Sequence, residues 1–182
     1  MNAVTGLGVI ENAGPNHLRG FLKRQAVSAK GLDIAVAFVT QAGLAELLPT
    51  LKRASTRGLV RLLTGLYQCF TEPKALRVLL AEQRATGGRL SVRISPDERF
   101  HWKAYFLLGA RKAVAVIGSS NMTSEGLTRP GELNVVFSLG RNSAAFKAVH
   151  RPFEDAWGEG RPLDRDLLLR YATARPKDVR AR

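Results

Sequence analysis

Between Gly31 and the polar pair Thr40-Gln41, the segment Asp33-Ile-Ala-Val-Ala-Phe-Val runs apolar without interruption after its first residue. A strand that faces water on one side alternates polar and apolar residues. This one does not, so it has to be covered on both faces. Covering both faces of a sheet takes helices on each side, which restricts the chain to a layered α/β architecture. The neighbouring segments agree. Leu18, Phe21, Leu22 and Ala26 recur at helical spacing through about residue 30, opposite Arg19, Lys23 and Arg24. A second helix is expected around 41–56 and stops at Gly58, Leu59–Thr64 reads as a strand, Pro73 opens a helix lasting to about Gly87, and Leu90–Ser95 is a third strand.

Beyond residue 100 the pattern changes to three strands with short or irregular connections, His101–Leu108, Ala113–Ser119 and Glu132–Leu139, followed by a helix from about Ser143 to Trp157. The fold class is therefore α/β, a mixed central sheet flanked by helices on both faces. Residues 1–14 read as a loosely structured lead-in, 15–160 as one catalytic domain, and 161–182 as a short helix (Leu163–Ala172) with a basic, disordered tail from Arg175.

Composition narrows the partners. Of 182 residues, 28 are Lys or Arg and 15 are Asp or Glu, a formal net charge of +13. Such an excess favours polyanions, because neutralised phosphates release counterions; nucleic acid fits better than lipid, since no segment joins a lipid-seeking apolar face to a basic one. No apolar run approaches the roughly 18–20 residues of a membrane span, and no secretory leader is recognisable, so a cytoplasmic location with no membrane association is expected. A lone cysteine, Cys69, excludes an internal disulfide and reads as a small buried apolar group. His17 and His150 have no polar partners at a useful spacing and read as structural, and Trp102 and Tyr105 read as core.

His101 and Lys103 stand two apart in one predicted strand and Ser119 and Asn121 two apart at the end of the next, beside Gly118, where a missing Cβ admits close approach by backbone or ligand. If the strands pair through the turn at 109–112, an imidazole, an ammonium, a hydroxyl and a carboxamide converge, a phosphate site with a nucleophile in it. Gly118, Ser120, Tyr105, Arg111 and Lys112 are the candidate substrate-binding residues around it, Tyr105 on the His101 face and the two basic residues near the motif in sequence.

His101-x-Lys103 followed by Gly118-Ser119-x-Asn121 resembles the phospholipase D superfamily signature H-x-K-x4-D-x6-G-S-x-N. Phe100-His-Trp-Lys-Ala-Tyr-Phe106 and Ile117-Gly-Ser-Ser-Asn-Met-Thr123 are similar to its nuclease-like, helicase- and restriction-associated branches, and the likeness extends over roughly residues 15–158. The sequence departs at the aspartate position, which is Leu108, and the segment from Lys103 to Gly118 is three residues longer. The resemblance implies a metal-independent, cofactor-free phosphodiesterase in which His101 forms a covalent phosphohistidine, Lys103, Ser119 and Asn121 hold the phosphate oxygens, and Glu132 hydrogen-bonds the histidine. It also implies a homodimer, because one motif copy supplies one histidine and in-line displacement needs a second as general acid. DNA is the expected substrate, RNA an alternative, and a helicase or restriction system a partner type. A phospholipase D-type lipid phosphodiesterase and a catalytically weak nucleic-acid-binding module are the competing readings, the second favoured by Leu108.

Overall fold

In the computed structural model, which describes residues 6–176, the chain order is β1 (Gly6–Ile10), α1 (Leu18–Ala26), β2 (Gly31–Val36), α2 (Gln41–Ser55), β3 (Leu59–Thr64), a 3-10 turn (Tyr67–Cys69), α3 (Pro73–Ala85), β4 (Leu90–Ile94), β5 (Lys103–Leu108), β6 (Lys112–Gly118), α4 (Ser124–Thr128), β7 (Asn134–Gly140), α5 (Ala144–Glu159), β8 (Arg161–Pro162) and α6 (Arg165–Ala174). The strands form one mixed sheet in the order β1-β7-β6-β5-β2-β3-β4-β8. Strands β2, β3 and β4 are parallel neighbours and the remaining pairs antiparallel.

Every residue of β2 is buried, as its apolar run requires. Side chains of β5 alternate between two cores: Tyr105 and Leu107 join Leu18, Leu22, Leu44, Leu47 and Leu76 on the face covered by α1, α2 and α3, whereas Phe106 and Leu108 join Phe146 and Phe153 of α5 on the other. A fully buried leucine in such a core contributes about 1.5–3 kcal/mol relative to exposure. Helices thus lie on both faces, and among the described residues none is long and apolar enough to cross a membrane.

One segment differs from the sequence reading. Residues 6–10 form an edge strand paired with β7, rather than a loose lead-in, and buried Asn12 ties the strand's exit to α1 and α4 by accepting from Leu18 N at 2.7 Å and donating to Gly126 O at 2.9 Å. The C-terminal helix packs onto the domain: Leu168 and Tyr171 are buried and Tyr171 Oη donates to Thr71 O at 2.6 Å. Most of the expected basic tail, residues 177–182, lies outside the described residues. Trp102, expected in the core, is 42% exposed and lies against Phe100, and Cys69 is half-buried in a turn.

Candidate active site

His101, expected within the strand, lies in the irregular segment just before β5, and Lys103 is the first residue of the strand, buried on the same face as Tyr105. Ala37 N donates to Trp102 O at 2.8 Å, holding this entry against the end of β2. The stretch after β6 is stitched to the same place. Met122 N donates to Phe38 O at 3.2 Å, Thr40 N to Met122 O at 3.1 Å, and Phe38 N to Asn121 Oδ1 at 3.1 Å. Gly43, in the first turn of α2, permits this seam, since a Cβ there would lie 2.3 Å from Met122 O. His101, Lys103, Ser119 and Asn121 are thereby gathered just beyond the carboxyl end of β2, where open α/β sheets place ligands.

Lys103 Nζ lies 2.7 Å from Nδ1 and 3.0 Å from Nε2 of His101 and donates to the His101 carbonyl at 2.9 Å. The imidazole is turned edge-on to Phe38, with ring centroids 5.6 Å apart. Desolvation and the Lys103 charge lower the His101 pKa below its ordinary value, which favours the neutral ring, its unprotonated nitrogen facing the Lys103 ammonium. Burial also lowers the Lys103 pKa, an effect that the Glu132 carboxylate offsets in part. Glu132 accepts a short hydrogen bond from Ser119 Oγ, and Leu133 N donates to the same Oγ at 2.9 Å. Among the described residues Glu132 is thus tied to Ser119 and faces Lys103 electrostatically, rather than bonding to His101 as the resemblance implied.

The candidate substrate-binding residues fare differently. Tyr105 is buried, its hydroxyl donates to Ser120 O at 3.1 Å, and burial followed by the Glu132 charge pushes its pKa well up; it supports the floor of the site and cannot line it. Ser120 is fully buried, with Oγ accepting from Asn134 Nδ2 at 2.8 Å. Gly118 makes room for backbone and not for ligand, since a Cβ there would meet Leu133 O at 2.2 Å. Arg111 and Lys112 sit at the hairpin joining β5 to β6, at the opposite end of the sheet from Ser119 and about 20 Å away along a seven-residue strand. Leu108 is at that far end too, buried, with its carbonyl accepting from Lys30 N at 2.7 Å. Phe38 and Asn134 carry no signal in the sequence; each is a single residue inside an otherwise apolar stretch, with no spacing to mark it.

The remaining histidines have structural partners. His17 Nδ1 caps α1 by accepting from Gly20 N at 2.9 Å. His150 Nε2 lies 2.8 Å from Asp33 Oδ2, and Asp33, His150 and Glu154 form a group of metal-ligand type among the described residues. Arg61 already supplies the cation there, bonded to Asp33 at 2.6 and 2.7 Å and to Glu154 at 2.7 and 2.9 Å. Burial raises the Asp33 pKa, but Arg61 and His150 outweigh it and hold the carboxyl below its ordinary range.

No family model and no curated protein matches the chain. Among solved structures, Nuc from Salmonella typhimurium, described as a phospholipase D family member, superposes with a TM-score of 0.65 at 18% identity over 86% of this chain and 97% of that one. The chain shares the fold of this phospholipase D family member. Phosphatidylserine synthase from Haemophilus influenzae is similar over 86% of this chain and 40% of its own, with a TM-score of 0.64 and 15% identity. NucT from Helicobacter pylori matches at a TM-score of 0.58 and 13% identity, over 86% and 97% of the two chains. The fold is thus shared with these structures at 13–18% identity.

Proposed function

We propose that the chain is a metal-independent phosphodiesterase that hydrolyses DNA, using His101 as nucleophile in a site completed by a second copy of the chain. The observation that carries this reading is the His101 ring held against the Lys103 ammonium and gathered with Ser119 and Asn121 beyond the end of β2. A ring nitrogen attacks phosphorus, forming an N–P bond as the bond to the leaving oxygen breaks. Lys103 turns from the imidazole to a non-bridging oxygen, where Asn121, its carbonyl fixed by Phe38 N, offers its amide hydrogens. Ser119 and Glu132 hold the adjacent loop and balance the Lys103 charge.

The leaving oxygen takes a proton from His101 of the partner subunit, the copy of the pair that is protonated while the attacking one is neutral; the base so formed draws a proton from the water that attacks the phosphohistidine, breaking the N–P bond and freeing the first imidazole. An apolar strip supports the dimer. Leu7 and Val9 of β1, 71% and 50% exposed, lie in register with Phe137 and Val135, and the strip continues through Ile117 and Leu133, whose backbone bonds to Ser119. A second copy seated there comes to the edge of the site. The position of Leu108, at the far end of β5 and packed in the α5 core, counts against a binding-only module, because an apolar residue there leaves the chemistry untouched. A helicase or restriction-system partner would supply the sequence selectivity that a phosphate-gripping core lacks.

The test is cleavage of single- and double-stranded DNA in excess EDTA, beside His101→Ala, with RNA and phosphatidyl liposomes as parallel substrates. Chelator-resistant DNA cleavage that the substitution abolishes is expected. Dependence on magnesium, or liposome turnover matching that on DNA, overturns the reading.

A further inference from the structure

A cavity of about 750 Å³ opens beyond the carboxyl ends of β3 and β4, next to the site and separate from it. Its walls are the 3-10 turn, the segment leaving β4, Arg161 of β8 and the inner side of α6. The volume lies within the range of small-ligand pockets. Tyr67 and Gln68 stand on one wall, the Gln68 amide donating to Tyr67 Oη at 3.0 Å, and Leu66, Ile94 and Leu167 give an apolar floor. Arg99, Arg161 and Arg170 line it, outnumbering the carboxylates of Asp97 and Glu98 on the same wall, and among the described residues no ion pair engages the three guanidinium groups.

The turn is unusual in its backbone. Gln68 and Cys69 both have positive φ, 48° and 59°, a conformation that L side chains rarely adopt in succession. The surroundings enforce it: Arg175 Nε donates to Cys69 O at 3.0 Å, and Tyr171 holds Thr71 just beyond. From this turn a short aromatic path leads to the nucleophile. Phe70, half exposed, packs on Phe38 with centroids 5.0 Å apart, and Phe38 packs on His101; from the other side Arg99 lies two residues from His101 in the chain.

A ring, an amide, an apolar floor and unpaired guanidiniums are the chemistry of a nucleobase with its flanking phosphates. A base stacked in a duplex cannot enter such a cavity. We infer that the Tyr67–Arg170 cavity is a nucleotide subsite that seats one unstacked base next to the scissile phosphate, so that the preferred substrate is single-stranded DNA. This rests on the phosphodiesterase reading above for its placement beside the scissile bond, whereas the binding it predicts does not depend on catalysis.

Binding is therefore measured in His101→Ala protein, by fluorescence anisotropy with labelled oligothymidylate and with its duplex with oligoadenylate. Single strand should bind at least about tenfold tighter than duplex, and Tyr67→Ala or Arg170→Glu should each weaken single-strand binding about tenfold while changing duplex binding less than about threefold. Arg170 is exposed on α6, so its substitution keeps the test open if Tyr67→Ala fails to fold. Equal affinity for the two forms, or equal losses on both, overturns the subsite. Single-strand binding without cleavage by the parent protein instead leaves the subsite standing and sinks the phosphodiesterase reading.

Discussion

Gly118→Ala probes whether the seam between β6 and β7 positions the site. An added Cβ would sit 2.2 Å from Leu133 O and 2.6 Å from Asn134 Cα, and neither can move without shifting β7. Gly118 has no positive φ, so the cost is steric alone. Restoring contact distance parts the strands by about 1 Å, and overpacking of this kind costs about 1–3 kcal/mol. In a chain of this size each kcal/mol lowers Tm by about 2–4 °C, which gives a fall of about 2–12 °C for a clash against backbone. The same shift breaks the Ser119 N to Leu133 O bond of 3.1 Å and displaces Ser119 and Glu132. A displacement of about 1 Å at a reacting centre costs about 100-fold in rate. Circular-dichroism melting and DNA cleavage on the same preparation measure both effects. Gly158→Ala, in α5 with open space around it, is the matched control and should raise stability by about 0.5–1 kcal/mol. Unchanged melting and unchanged cleavage in Gly118→Ala would refute the positioning role of this seam.

Asp33→Asn leaves Arg61 and His150 without their shared carboxylate and should destabilise the fold by about 3–5 kcal/mol, measured by urea unfolding at neutral pH. Because the folded Asp33 pKa is depressed, its contribution is present above the ordinary carboxylate pKa of about 4 and is lost as pH falls through the folded value. The parent and variant stabilities should therefore converge in acid, and a constant gap down to the lowest pH at which both fold counts against the network. The acidic limb of the pH–rate profile should lie below about 6.5, since His101 must be unprotonated to attack and its pKa is lowered; a limb above that value contradicts the His101 environment. Leu7→Glu combined with Val9→Lys should convert a dimer to a monomer in sedimentation velocity and remove cleavage, while a fully active monomer would exclude the shared site.

Long apolar runs such as that of β2 announce themselves in the sequence, because burial on both faces leaves no room for polar residues. The edge strand β1 does not. It is five residues long with two glycines, and its apolar Leu7 and Val9 face outward, so nothing in its pattern demands a strand. His101-x-Lys103 is legible because both residues lie within one short span at the β5 entry, whereas Arg111 and Lys112 mislead because nearness in sequence is not nearness in space. The β5–β6 hairpin carries them to the other end of the sheet. Tyr105, read as core from its place in an apolar strand, is buried with its hydroxyl on the Ser120 carbonyl, whereas Ser120 is turned inward to Asn134, and burial of that kind follows from packing that no local pattern encodes.

In the proposed reaction His101 itself becomes bonded to phosphorus. Quenching in alkaline detergent during turnover of a phosphate-labelled oligonucleotide, followed by peptide mass spectrometry at alkaline pH, reads this directly. A nucleotide adduct is expected on the peptide carrying His101, formed in EDTA and lost on treatment with acid and heat. Robust cleavage with no adduct on that peptide at any time point, in a protein where Lys103→Met still turns over normally, would contradict it.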